Sequence, residues 1–216
     1  MNPAEPCLVI DASARAGLRV GVLQGGRWVS QVESPDGALE ATSDCAGEVL
    51  ATANLKLSEI KSFAVCVGPG SMLGIRVAAL AVRAWSALQE RPIYVWESLM
   101  ALATSALAHG QAGPFVVVAE SRLKRWNVLE VTPQNQFLPV AELERDQVVV
   151  KSLPILCVSD EAVKVFTGVK KITDPWSDLP KYFSEGKLLK LEPKPEPLNA
   201  TADFALWSGE RHRGNP

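Results

Sequence analysis

The sequence contains only two histidines, His109 and His212, and that shortage removes several chemistries at once. Neither a Ser-His-Asp triad nor an H-E-x-x-H zinc site can be assembled around them. Its four cysteines, Cys7, Cys45, Cys66 and Cys157, form no C-x-x-C pair. Three of them interrupt apolar stretches as small buried residues do, a pattern that fits a reducing cytosol better than a disulfide framework. No run reaches the roughly 20 apolar residues that span a bilayer. The opening MNPAEPCLVIDAS has no basic region ahead of its short apolar stretch, so it is not a signal peptide. A cytoplasmic protein without membrane contact is expected. A large charge of one sign is missing too: the formal net charge is −2, which argues against a strong polyanion-binding surface and places any nucleic acid contact on a partner.

What is present is enough apolar sequence to fill a core. With 216 residues and 47% of them hydrophobic, the chain lies between one ordinary domain and two small ones. Cys7 to Ile10 and Leu18 to Leu23 read as strands, and Gly25-Gly26 turns the second into Arg27 to Glu33. Apolar residues then recur at helical spacing from Ala38 to Ala53. A strand at Phe63 to Val67, a helix from Gly70 to about Gln89 and a strand at Ile93 to Trp96 follow. Ser98 is placed to cap a helix that Gly110 ends. The division expected is a first lobe over residues 1–105, a second over 106–200 and a C-terminal segment over 201–216. In that segment Ala202 to Trp207 docks and ERHRGNP frays.

An internal similarity supports two lobes. CLVIDASARAGLRVGVL (residues 7–23) and FVVVAESRLKRWNVLEV (residues 115–131) each run from an apolar strand through an acid-and-serine turn and a basic residue into another apolar strand. Asp11 and Glu120 fall at comparable places in the two, which hints at a duplication.

The segment VGPGSMLGIR resembles a phosphate loop until its spacings are counted. A Walker loop requires G-x-x-x-x-G-K-[ST], and no Lys with Ser or Thr follows Gly74; the dinucleotide fingerprint requires G-x-G-x-x-G, and the third glycine arrives one residue late. Gly68 and Gly70 still permit positive φ or close backbone approach, Pro69 stiffens the turn and Ser71 can cap the next helix. Two readings stay open: a helix start that holds an anion, and a packing connection only. The helix itself leaves little polar face beyond Arg76 and Arg83, so it is either a central core helix or one whose alanine-rich face, with Trp85, meets another subunit. Asp11 and Glu120 are each either turn formers or carboxylates for a metal or nucleotide, with Ser13 nearby. The basic run Arg122, Lys124 and Arg125 reads as a solvated face.

GPGSMLGIR with its helix, PIYVWESLMALA, the opening LVIDAS and the later AESRLKRW together resemble the bacterial TsaB (YeaZ) family. Its members usually carry GPGSFTGLR, a strand leading to a serine, a Leu-x-Ile-Asp-Thr-Ser opening and an Asp-Ala-Arg segment. The resemblance covers about the first 130 residues. It implies an α/β fold of the two-lobed actin, Hsp70 and sugar kinase (ASKHA) type with duplicated mixed sheets. It also implies an accessory subunit that does no catalysis, pairing with a TsaD-like protein alongside a TsaE-like ATPase in threonylcarbamoylation of adenosine 37 of tRNA. On this reading tRNA is met only through the complex, the isolated chain is a homodimer, no cofactor or metal is held, and ATP with Mg²⁺ binds at most at a complex interface. The family loop corresponds to Gly68, Pro69, Gly70, Ser71, Gly74 and Arg76. The partner surface corresponds to the helices near residues 38–53 and 74–89, with Val49, Leu50, Ala78, Ala81 and Trp85. Three positions depart from the pattern: Met72-Leu73 replaces Phe-Thr, Ala38-Leu39 replaces His-Ser and Glu120 replaces an aspartate. The competing expectation is a stand-alone ATP-dependent phosphotransferase or hydrolase of the same fold, with Asp11 and Glu120 holding Mg²⁺.

Overall fold

The computed structural model describes residues 2–14 and 17–198. The expected C-terminal segment, 201–216, with its docking stretch Ala202 to Trp207, lies outside the described residues. Strands β1 (Cys7–Asp11), β2 (Leu18–Gln24) and β3 (Arg27–Ser34) form a meander, followed by α1 (Ala38–Thr52), β4 (Ser62–Cys66), α2 (Met72–Leu88), β5 (Ile93–Trp96) and α3 (Ser98–Ala108). The second half repeats the scheme with β6 (Phe115–Glu120), β7 (Trp126–Val131), β8 (Ala141–Leu143), α4 (Arg145–Val150), β9 (Ile155–Cys157), α5 (Asp160–Val165) and β10 (Lys170–Lys171). A return segment adds α6 (Leu179–Ser184) and β11 (Lys190–Leu191).

The two sheets have one topology. The first runs β3-β2-β1-β4-β5 with β11 outside β5, and the second runs β8-β7-β6-β9-β10. In both, the first three strands are antiparallel neighbours, and the fourth and fifth run parallel to the first. The duplication hinted at by residues 7–23 and 115–131 is therefore an architectural repeat. It is the two-lobed α/β arrangement expected. Asp11 and Glu120 end the equivalent strands β1 and β6.

Sequence pattern explains the central elements. Strand β4 (SFAVC) is buried along its whole length, as a strand covered on both faces must be. Helix α1 buries Ala38, Ala41, Thr42, Cys45, Ala46, Val49 and Leu50, spaced as one face of a 3.6-residue helix. That face packs with Ala78 and Val82 of α2 over one side of the first sheet. Helix α3 begins one residue earlier than expected, at the residue read as its cap. Ser98 is its first residue, and its Oγ donates instead to the Pro69 carbonyl at 2.8 Å.

The other side of the first sheet is covered by the return segment. Trp176, Leu179, Tyr182 and Phe183 pack onto Val9, Leu23, Cys66 and Trp96, each large side chain contributing on the order of 2 kcal/mol by burial. Strand β11 pairs with β5. The expected second lobe, 106–200, thus includes a segment that completes the first sheet. A β-bulge aims one of the anchors: Trp28 pairs with Leu23 and Ser30 with Val22, leaving Val29 as the extra residue. Past the bulge the faces change over. Ser30 donates to the Val49 carbonyl of α1, whereas Trp28 stacks on Trp176 with ring centroids 4.8 Å apart.

The glycines of the 68–74 loop are explained by contact with the end of β1. Gly68 has φ +97°, and a Cβ on Gly70 would lie 2.0 Å from the Ser13 carbonyl oxygen, one on Gly74 2.3 Å from that of Ala12. Gly47, in the exposed face of α1, has open space around it. Gly70→Ala is expected to cost about 3 kcal/mol, whereas Gly47→Ala stabilises by about 0.5–1 kcal/mol. Urea denaturation of the two variants checks both signs.

Candidate functional site

Between the sheets, the ends of β1 and β6 and the starts of α2, α3 and α5 enclose a cleft of about 680 Å³. Three of the loop residues singled out from sequence, Pro69, Gly70 and Ser71, line it, and Ser71 caps α2 by accepting from the Gly74 N–H at 3.3 Å. The Ser71 N–H donates to the Ser13 carbonyl at 2.8 Å, which clamps the loop onto the first turn. That N–H is therefore already committed to the protein's own backbone. Gly68 is buried behind the loop, and Arg76 is exposed on the outer side of α2.

Asp11, Ser13 and Glu120 all face this cleft, so the structure brings together the residues considered for nucleotide or metal. The hydrogen bonds of Asp11 close a local turn, whereas that of Glu120 ties β6 to the start of α5. One Asp11 oxygen accepts from the Ser13 N–H at 2.9 Å and from its Oγ at 2.7 Å, and the other lies 3.8 Å from Arg19. Glu120 accepts from Ser159 Oγ at 2.9 Å, and Ser159 in turn caps α5. Arg19 makes a two-bonded pair with Asp174 at 2.5 and 3.1 Å and lies over the Trp176 ring. Burial works against the Arg19 charge, but Asp174 first and then Asp11 more than offset it, leaving its pKa above the ordinary value. Among the described residues no three His, Cys, Asp or Glu side chains group as a metal site.

The helical surface needs correction. Val49, Leu50 and Ala78 are buried in the chain's own core, filling the space between α1, α2 and the sheet, so they cannot meet a partner. Trp85 is half-buried against Phe63, with ring centroids 6.0 Å apart, and Ala81 is half-buried. The outward ridge of α2 is instead formed by Leu73, Leu80 and Leu88, which are 68%, 60% and 79% exposed. Beside it α1 exposes Leu39 and the acids Glu40, Asp44 and Glu48, one turn apart. Composition had marked α2 as apolar nearly all round; which apolar residues point out is decided by the sheet and by α1.

A family model described as TsaD, tRNA N6-adenosine threonylcarbamoyltransferase, matches residues 38–126, from α1 to the start of β7. A search of curated proteins finds no match. Among solved structures, YeaZ from Pseudomonas aeruginosa is similar with a TM-score of 0.67 and 18% identity, over 92% of this chain and 99% of that one. The chain has the YeaZ fold. A second structure, of an uncharacterized protein with similarity to peptidase YEAZ from Pseudomonas aeruginosa, gives a TM-score of 0.65 at 18% identity over the same shares. The resemblance to YeaZ read from LVIDAS, GPGSMLGIR and AESRLKRW thus extends to the architecture of nearly the whole chain. Among the described residues no helix is long and apolar enough to cross a membrane.

Sequence reasoning missed Arg19, Asp174 and Trp176 as a group that builds one cleft wall, because residues 155 positions apart carry no local signal. The cysteines fit their apolar neighbourhoods: all four are free and buried. Burial pushes the Cys7 thiol up to about 12. It also holds Cys66 well above its usual value, with the Asp11 charge adding to the effect. A thiol held protonated by folding stabilises the native state fully below the unfolded pKa near 9.0, and loses that contribution as pH rises towards the folded value. Stability is expected to fall above pH 9, by on the order of 1 kcal/mol per thiol at pH 10. Urea midpoints between pH 8 and 10.5 test this, the decline being shallower in a Cys7→Ala/Cys66→Ala chain than in the parent.

Proposed function

We propose that this chain is a diverged TsaB-type accessory subunit. It does no catalysis itself and pairs with a TsaD-like protein in N6-threonylcarbamoyladenosine modification of tRNA, with a TsaE-like ATPase in the same pathway and tRNA met through the complex. The observation that carries this reading is the outward ridge Leu73, Leu80 and Leu88 on α2, on a chain with the YeaZ fold whose segment 38–126 matches the TsaD family model. Large apolar side chains in a row on a helix are costly in water unless covered, and a flanking acidic row gives such a surface a preferred orientation for its partner. Arg76, exposed beside the ridge, supplies the opposite charge, whereas Arg83 pairs with Glu196; a second copy of the chain therefore fits the surface as well, and homodimer and heterodimer compete for it. The cytoplasm is the compartment this role requires.

The stand-alone phosphotransferase is the weaker reading. It needs Asp11 free to hold Mg²⁺, and Asp11 is occupied by Ser13 and Arg19. Co-expression with the cognate TsaD-like protein followed by affinity capture tests the pairing. Leu80→Arg, which leaves the core untouched, is expected to weaken capture about 100-fold, and Lys124→Ala to leave it unchanged. Full capture by the Leu80→Arg chain would remove the interface, and failure of the wild-type chain to restore modified tRNA in cells depleted of TsaB would remove the function.

A further inference from the structure

Pairing through α1 and α2 leaves the 680 Å³ cleft without a role, although its volume is that of a small-molecule site. Its floor is apolar, formed by Trp96, Leu102, Val118 and Leu179. Its walls carry four carboxylates, Asp11, Glu120, Glu142 and Asp174, against two guanidinium groups, Arg19 and Arg122. Arg19 is committed to Asp174 and lies near Asp11, and Glu142 accepts from Ser121 and from Arg125. The carboxylates are thus held in place by the protein's own donors, and in the cleft wall they outnumber the guanidinium groups four to two, which leaves an entering anion facing a net negative wall. A triphosphate would bring several negative charges against this wall in a partly desolvated space, where like-charge repulsion is strongest.

An uncharged ring system meets the opposite conditions. It gains by covering the apolar floor, adds no charge to the wall, and meets a buried amide among the polar groups of the lining. That amide is Asn127, nearly fully buried, whose side-chain N–H donates to the Glu120 carbonyl at 3.3 Å. From the cavity, its floor and its charge balance, we propose that the cleft binds an uncharged heteroaromatic small molecule and rejects nucleoside polyphosphates. This inference is independent of the pairing function, since Leu73, Leu80 and Leu88 lie outside the cleft lining.

Indole and ATP with Mg²⁺ are suitable probes for the full-length, methyl-labelled chain. Indole is expected to shift the methyl signals of Leu102, Val118 and Leu179 with a dissociation constant on the order of 1 mM, and ATP with Mg²⁺ at the same concentrations to leave them in place. Ala119→Phe, which fills the cleft from β6, is expected to weaken indole at least tenfold. Shifts by ATP with Mg²⁺ at equal or lower concentration overturn the proposal. Indole shifts confined to methyls outside the cleft, their absence, or undiminished affinity in a folded Ala119→Phe chain do so as well. Should Ala119→Phe not fold, mapping the two probes on the parent chain decides alone.

Discussion

The contact on which the rest of the molecule depends is the approach of one backbone to another, without side chains between them, where residues 68–74 rest on Ala12 and Ser13. Only glycine at positions 70 and 74 lets the carbonyls of Ser13 and Ala12 come so near. The hydrogen bond from the Ser71 N–H to the Ser13 carbonyl then fixes the distance. Because Ser71 also starts α2, this one contact sets the height of α2 above the first sheet and the direction of its axis. The buried row Ile75, Ala78, Ala79 and Val82 can then fill the space beneath with small side chains. What looked like a phosphate loop has spent its first N–H on its own chain, and its glycines serve packing.

A second constraint follows from how few layers the first lobe owns. Helices α1 and α2 cover one side of its sheet, and among the described residues of 1–105 no helix covers the other side in full. The chain solves this by returning from the second sheet, laying Trp176, Leu179, Tyr182 and Phe183 across that side and adding β11 at the edge. The Trp28 indole N–H donates to the Trp176 carbonyl and the Trp176 indole N–H to Gln31 Oε1, so the return segment is fixed by polar bonds as well as by stacking. The lobes are consequently joined twice, by the stretch after α3 and by the return. The Arg19–Asp174 pair and the Trp28–Trp176 stack both tie the return segment to the first sheet.

Local pattern made the first lobe readable. The helix at 38–53, the strand at 93–96 and the glycine turn at 25–26 were all legible from spacing, because each is decided by residues a few positions apart. Three things were not. The short elements α4, α5 and β8 have too few residues for a period to show, and their helices are a turn and a half long. The bulge at Val29 leaves alternation intact on paper while changing which face Trp28 joins. The partner surface was read from residue type, and alanines and valines that are apolar for the core cannot be told by type from leucines that are apolar for a partner. Val49, Leu50 and Ala78 were chosen for that reason, and the packing of α1 against α2 reverses the choice. In the cleft, Asp11 and Glu120 were legible as a pair because duplication repeats local sequence, whereas Asp174 required the fold.

The two departures at the start of α2 acquire different meanings once their directions are known. Met72 lines the cleft, and Leu73, the next residue, stands 68% exposed at the head of the outward ridge. A hundred degrees of helix rotation separates them, so neighbouring positions in one motif serve an inward cavity and an outward surface. Replacing an aromatic ring by Met72 at the inner position removes a rigid plate and leaves a flexible thioether against the cleft. Replacing a hydroxyl residue by Leu73 at the outer position lengthens an apolar ridge by a full side chain. Both changes exchange polar or rigid chemistry for adaptable apolar contact, and both sit on the elbow whose glycines permit its close approach to Ala12 and Ser13. The close backbone approach requires the glycines of the motif, whereas Met72 and Leu73 between them face two different surfaces.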